Sequence, residues 1–183
     1  GKLQQARELI SHLLRYINDH GLADFPRVGI VWGLWAALAR EQGDLEEAER
    51  FTEKALAISE QEKPAQGFNF LFQIMVSFSR GQFKKALAAI NQIELIDHDV
   101  GLPAFVTVPA TIWRARLLAA TEEQARAQEI LGEIQIAEQA PVIRGQEAGF
   151  LVLARVLLLD KKYKEARIIL DQVLKLVADG NRT

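Results

Sequence analysis

The chain has 183 residues, 49% of them hydrophobic and 25% charged, with a formal net charge of −2. A composition this apolar can build a core and excludes disorder over most of the length. The balanced charge lacks the basic footprint of a nucleic-acid binder, and the absence of cysteine removes disulfides, thiolate nucleophiles and Cys-ligated metals.

Apolar periodicity and proline placement predict helices over 2–19, 24–42, 45–62, 65–80, 83–98, 104–120, 122–138, 142–160 and 163–178. The first carries Leu3, Ala6, Leu9, Ile10, Leu13, Leu14 and Ile17, an apolar stripe wider than one neighbouring helix pair covers. The second carries Trp32, Trp35 and Ala36. The third follows a phrase, Gly43-Asp44-Leu45-Glu46-Glu47-Ala48, and continues with Phe51, Ala55 and Leu56. The fifth follows Gly81-Gln82-Phe83-Lys84-Lys85-Ala86 and continues with Ile90 and Ile93. The seventh follows the weakest copy, Glu122-Glu123-Gln124-Ala125-Arg126-Ala127, where Thr121 and Gln124 suggest a capping box. The eighth, with Phe150 to Leu159, is the most apolar stretch. Arg155 interrupts it, and it is too short to span a bilayer. The ninth follows Lys161-Lys162-Tyr163-Lys164-Glu165-Ala166 and carries Ile169, Leu170, Val173, Leu174 and Val177. Pro26, Pro64, Pro103 and Pro141 fall between successive units, where proline suits the first turn of a helix.

With Gly1-Lys2-Leu3-Gln4-Gln5-Ala6, the phrase occurs five times. Its closing alanines stand at 6, 48, 86, 127 and 166, a period of about 40. Twelve residues before the alanine stands Ala36, Ile74, Ala115 or Ala154, and sixteen before it Trp32, Phe70, Thr111 or Phe150. Small residues on facing helices let the axes approach, and an aromatic one turn earlier fills the wider part of the wedge. The pattern resembles the tetratricopeptide repeat (TPR), lengthened beyond the usual ~34 residues. It predicts an all-α fold of roughly nine helices: a right-handed superhelical solenoid of antiparallel helix pairs. Residues 1–183 read as a single TPR-like repeat domain, a fragment of a longer chain, since it opens on Gly1 and its first helix lacks an upstream partner.

The long period, the segment His20-Gly21-Leu22-Ala23-Asp24-Phe25-Pro26, the Gly43 phrase and Trp113-Arg114-Ala115-Arg116-Leu117-Leu118 narrow the match. Together they resemble the repeat region of the large ATP-binding bacterial regulators of the LuxR type, of which MalT is the best-known member. The third turn, without Gly-Asp, departs from that pattern. The resemblance implies a non-enzymatic, cytoplasmic module that senses an inducer or a partner protein and controls self-association. An ATPase would lie upstream and a DNA-binding helix-turn-helix downstream. Within these residues no Gly-x-x-x-x-Gly-Lys-Ser/Thr loop occurs, so no nucleotide or other cofactor is expected. The alternative is a generic TPR scaffold or docking domain for a peptide or partner protein, including one attached to an enzyme.

Catalytic chemistry finds no footing. His12, His20 and His98 are far apart, and Ser11, Ser59, Ser77 and Ser79 lack a His–Asp context. Glu46, Glu47, Glu49 and Glu53 read as the solvated face of one helix. Trp32 reads as repeat core. The binding surface is expected on the concave side, lined by the first helix of each pair. That places Phe68, Leu71, Met75 and Phe78 in an apolar groove edged by Arg40, Arg116 and Arg155. Such a groove suits a protein or peptide partner or a small-molecule inducer, with no direct nucleic-acid contact and no membrane. The apolar faces of the terminal helices are expected to support self-association.

Overall fold

The computed structural model describes residues 2–138, 140–142 and 145–180. Gly1 of the first phrase, and 143 and 144 of the expected helix 142–160, lie outside the described residues. Among the described residues there are nine helices and no strand: α1 (Lys2–Asp19), α2 (Val28–Glu41), α3 (Leu45–Ile58), α4 (Lys63–Ser79), α5 (Phe83–Val100), α6 (Ala104–Ala120), α7 (Gln124–Glu133), α8 (Glu147–Leu159) and α9 (Tyr163–Gly180). The all-α tandem expected from the repeat is the observed fold. The chain divides into two compact units, 1–107 and 108–183.

The repeated phrase has one structural meaning. Its first residue holds a left-handed backbone: φ is 84° at Gly43, 71° at Gly81, 66° at Glu122 and 61° at Lys161. The amide of its second residue reaches back across the end of the preceding helix. Asp44 N–H donates to Ala39 O at 3.0 Å, Gln82 to Ser77 at 2.8 Å, Glu123 to Leu118 at 2.9 Å and Lys162 to Leu157 at 2.9 Å. This six-to-one bond closes a Schellman turn and satisfies carbonyls the helix end would otherwise orphan. The third residue, Leu45, Phe83, Gln124 or Tyr163, begins the next helix. One helix's C-terminal motif is thus the next helix's start. The link is too short for anything but an antiparallel pair. His20-Gly21-Leu22 closes α1 the same way, with Gly21 at φ 67° and Leu22 N–H on Ile17 O at 2.9 Å.

Four expected boundaries move by four or more residues. α2 starts at Val28 rather than 24, because Phe25 and Pro26 accept the amides of Val28 and Gly29 in a turn ahead of the helix. α3 ends at Ile58 rather than 62, where the buried Ser59 hydroxyl bonds back to Ala55 O at 2.8 Å. α7 ends at Glu133 rather than 138 in an unheralded Schellman turn. There Gln135 takes φ 62° and Ile136 N–H donates to Leu131 O at 2.9 Å. α8 accordingly starts at Glu147 rather than 142. The capping box at Thr121 does not form: its hydroxyl donates backwards to the Leu117 and Leu118 carbonyls, and Glu123 holds the cap position without a side-chain bond.

The key alanines Ala48, Ala86, Ala127 and Ala166 are all fully buried, as are Ala36, Ile74, Ala115 and, within 1%, Ala154. In unit 1, α2 packs on α3 and α4, and α4 on α5. Gly29 and Gly33, one turn apart on α2, make the α2–α4 approach possible. A Cβ at 29 would stand 2.5 Å from Ala55 O and 2.8 Å from Asn69 Nδ2, and one at 33 would overlap the Phe72 ring. Buried Asn69 spans the junction, donating to Ala55 O at 3.1 Å and Ser59 Oγ at 3.0 Å. In unit 2, Phe150, Leu131, Leu157 and Ile169 lead one core, with Ala115, Ala127 and Ala166 inside it. Ile136, just past the end of α7, fills the space over Gly149 that a side chain there would need.

Candidate functional site

Unit 1 has an open cavity of about 320 Å³ where the N-terminal ends of α2, α4 and α6 meet. Its floor is apolar: Ile30, Ala65, Phe68 and Val106, with Pro64, Pro103 and Phe105 at the sides. The Phe68 ring meets Phe72 and Phe105 edge-on, at centroid distances of 5.3 and 5.9 Å. Phe105 remains 65% exposed. The rim carries Arg27 and Glu62, paired at 3.5 Å, and the other Glu62 oxygen accepts the Ala65 amide at 2.9 Å as the cap of α4. Paired opposite charges leave this rim without a strong preference of sign.

Unit 2 has a groove of about 430 Å³ along α8. Leu151, Arg155 and Leu158 lie at i, i+4 and i+7 on one helical face, flanked by Ala148, Val152 and Ala154. Arg116 of α6 and Leu170 of α9 complete the lining. The Arg116 guanidinium lies over the Trp113 ring at 4.7 Å. Arg155, Leu151 and Leu158 are exposed.

Of the seven residues expected on one concave surface, five lie in unit 1 and two in unit 2. Phe68 lies in the unit 1 cavity, and Arg116 and Arg155 share the unit 2 groove. Leu71 belongs to the core at 7% exposure, and Met75 is half-buried on α4. Phe78 packs on the Phe83 ring at 5.3 Å. Arg40 pairs with Glu41 and donates to Ser79 Oγ at 3.4 Å, with its Nε buried and unpartnered. Sequence reasoning missed Arg27, Glu62, Pro103 and Phe105. The prolines at the unit boundaries were the available signal, read there as helix starts and not as cavity walls.

Glu49 is more than solvated surface. It receives Lys85 Nζ at 2.6 Å and Arg80 Nε at 3.2 Å, tying α3 to the end of α4 and the start of α5. The Lys85 hydrogen bond holds its carboxyl below the usual glutamate range, with Arg80 adding to the effect and partial burial opposing it. Trp32 and Trp35 pack on Phe51 at 5.5 and 5.7 Å, and Lys54 Nζ sits 3.6 Å from the Trp32 ring centroid, so this aromatic cluster is repeat packing. Among the described residues no three His, Cys, Asp or Glu side chains gather as a metal site, and no helix is long and apolar enough to cross a membrane.

The terminal helices leave apolar side chains in solvent. On α1, Leu9 is 71% exposed and Tyr16 55%; on α9, Leu174 is 68% exposed and Ile168 56%.

No curated protein matches the chain. Two solved structures of a Podosopora anserina kinesin light chain protein with nearly identical TPR-like repeats, one a single-substitution variant, share its fold. They superpose with TM-scores of 0.65 and 0.62 at 20% and 21% identity, over 100% of this chain and 90% of each of theirs. The MalT-like TPR region family matches residues 1–183, and the chain therefore belongs to that family.

Proposed function

We propose that this chain is the non-enzymatic protein-interaction or inducer-sensing module of a cytoplasmic bacterial transcriptional regulator of the LuxR/MalT type. The observation that carries the reading is the family match along the whole of residues 1–183. Two open, mainly apolar cavities provide seats for a partner or inducer, with Phe68 as a contact in one and Arg116 and Arg155 in the other. The module needs no cofactor, and at a net charge of −2 it leaves DNA contact to another domain. The exposed leucines of α1 and α9 are its surfaces for self-association, which sedimentation at several concentrations would detect.

The test is the coding sequence on either side. A phosphate-binding loop, Gly-x-x-x-x-Gly-Lys-Ser/Thr, is expected on the N-terminal side and a helix-turn-helix on the C-terminal side. A catalytic domain in their place would make the chain an enzyme's docking domain. Neither would make it a free scaffold.

A further inference from the structure

We infer that the unit 2 groove along α8 is a docking site for an acidic, leucine-rich peptide segment of a partner protein. The inference rests on the reading of the chain as an interaction module and specifies the chemistry of one partner.

Charge complementarity identifies the occupant. The whole chain is slightly acidic, yet among the described residues the charged side chains lining the groove are those of Arg116 and Arg155. The nearby Glu147 carboxylate is engaged, accepting the Gly145 amide at 2.8 Å. Arg155 is exposed and has no ion-pair partner among the described residues. The Arg116 guanidinium is steadied by the Trp113 ring. A planar guanidinium at the edge of an apolar strip binds a carboxylate through paired N–H donors, and does so more strongly than in open water because the strip excludes solvent.

The length of the groove favours a peptide over a small anion. From Ala148 to Leu158 the lining follows one face of α8 for three helical turns, about 15 Å at 1.5 Å per residue. A small carboxylate satisfies one arginine and leaves most of that strip bare. A segment with Asp or Glu beside Leu, Ile or Phe engages Arg155 and covers the strip, its apolar side chains lying against Leu151, Leu158 and Leu170. Two arginines among leucines are too few for a phosphate backbone, whose recognition takes many cationic contacts.

The test is selection of a phage-displayed random 12-residue library on the full 183-residue chain, followed by calorimetry of the recovered peptides. Recovered sequences are expected to place acids next to bulky apolar residues. Arg155→Glu should weaken their binding roughly tenfold or more, as should added salt, while Phe105→Asp in the unit 1 cavity leaves it unchanged. Arg155 is exposed, so its reversal should leave the fold intact, as circular dichroism would verify. Peptides without acids, or affinity indifferent to Arg155→Glu, would overturn the inference. If the peptides instead lose binding with Phe105→Asp, the interaction-module reading stands and this inference falls. Sodium dodecanoate binding as tightly as the best peptide would make the groove an amphiphile site and overturn the peptide assignment. Recovery of no peptide at all would overturn it too, leaving the module's function to be decided by the flanking sequence.

Discussion

The two units close the same turns with different residues. Unit 1 places Gly43 and Gly81 in the left-handed position, and Asp44 caps α3 through its Oδ1, which accepts the Glu47 amide at 3.0 Å. Glu62 caps α4 likewise. Unit 2 places Glu122, Gln135 and Lys161 in that conformation; α7 and α8 have no side-chain N-cap, as α2 and α5 of unit 1 have none. A non-glycine residue there costs roughly 1–2 kcal/mol, and a missing cap about 1 kcal/mol. The geometry in unit 2 is therefore imposed by packing, through Phe150, Leu131 and Ile136, all buried to within 1%. One backbone motif can be specified locally by glycine and caps, or globally by a core that tolerates no other register.

The largest expected effect follows from that difference. Phe150→Ala removes the central side chain of the unit 2 core and should destabilise the protein by about 3–5 kcal/mol in urea unfolding. A loss under 1 kcal/mol would mean that packing does not hold the unit 2 turns. Ala48→Leu and Ala166→Leu put a branched side chain at fully buried positions, one in each unit, and should cost about 1–3 kcal/mol each through overpacking. Gly43→Ala and Gly81→Ala should cost about 1 kcal/mol each. Nothing lies within 4 Å of where either Cβ would stand, so the cost isolates backbone conformation from sterics. The smallest effect concerns Glu49. Its carboxyl is held low in the fold, so its contribution is present above the ordinary glutamate range, near pH ~4.3, and is lost as pH falls through the lower folded value. Glu49→Gln should cost about 0.5–1 kcal/mol at pH 7, and the difference from the parent should vanish in acid.

The repeat was legible because each part of the phrase answers a separate physical demand: a left-handed residue, a backward-reaching amide, a helix start, and an alanine at a close crossing. Even the weakest copy, at Glu122, adopts the motif, since periodicity and burial of Ala127 do not depend on glycine being present. The end of α7 was not legible. Gln135 is an unexpected left-handed residue, and what selects it is Ile136 seating over Gly149, a contact across more than ten residues that no local pattern announces. The candidate site was read in part. Arg116 and Arg155 share a groove because corresponding positions on α6 and α8 face one way. Leu71, one residue past its early aromatic, and Arg40, eight past its own, are instead taken up by the unit 1 core and by Glu41 and Ser79.

The left-handed turn residue as the defining element of the repeat is tested most directly by urea unfolding of Lys161→Gly. Lys161 is exposed and forms no ion pair among the described residues, so the substitution changes little besides backbone preference. Relief of the left-handed cost outweighs the added freedom of the unfolded chain, and a gain of roughly 0.5–1 kcal/mol is expected. A loss of stability, or no change, would contradict the assignment of this position as the repeat's left-handed turn.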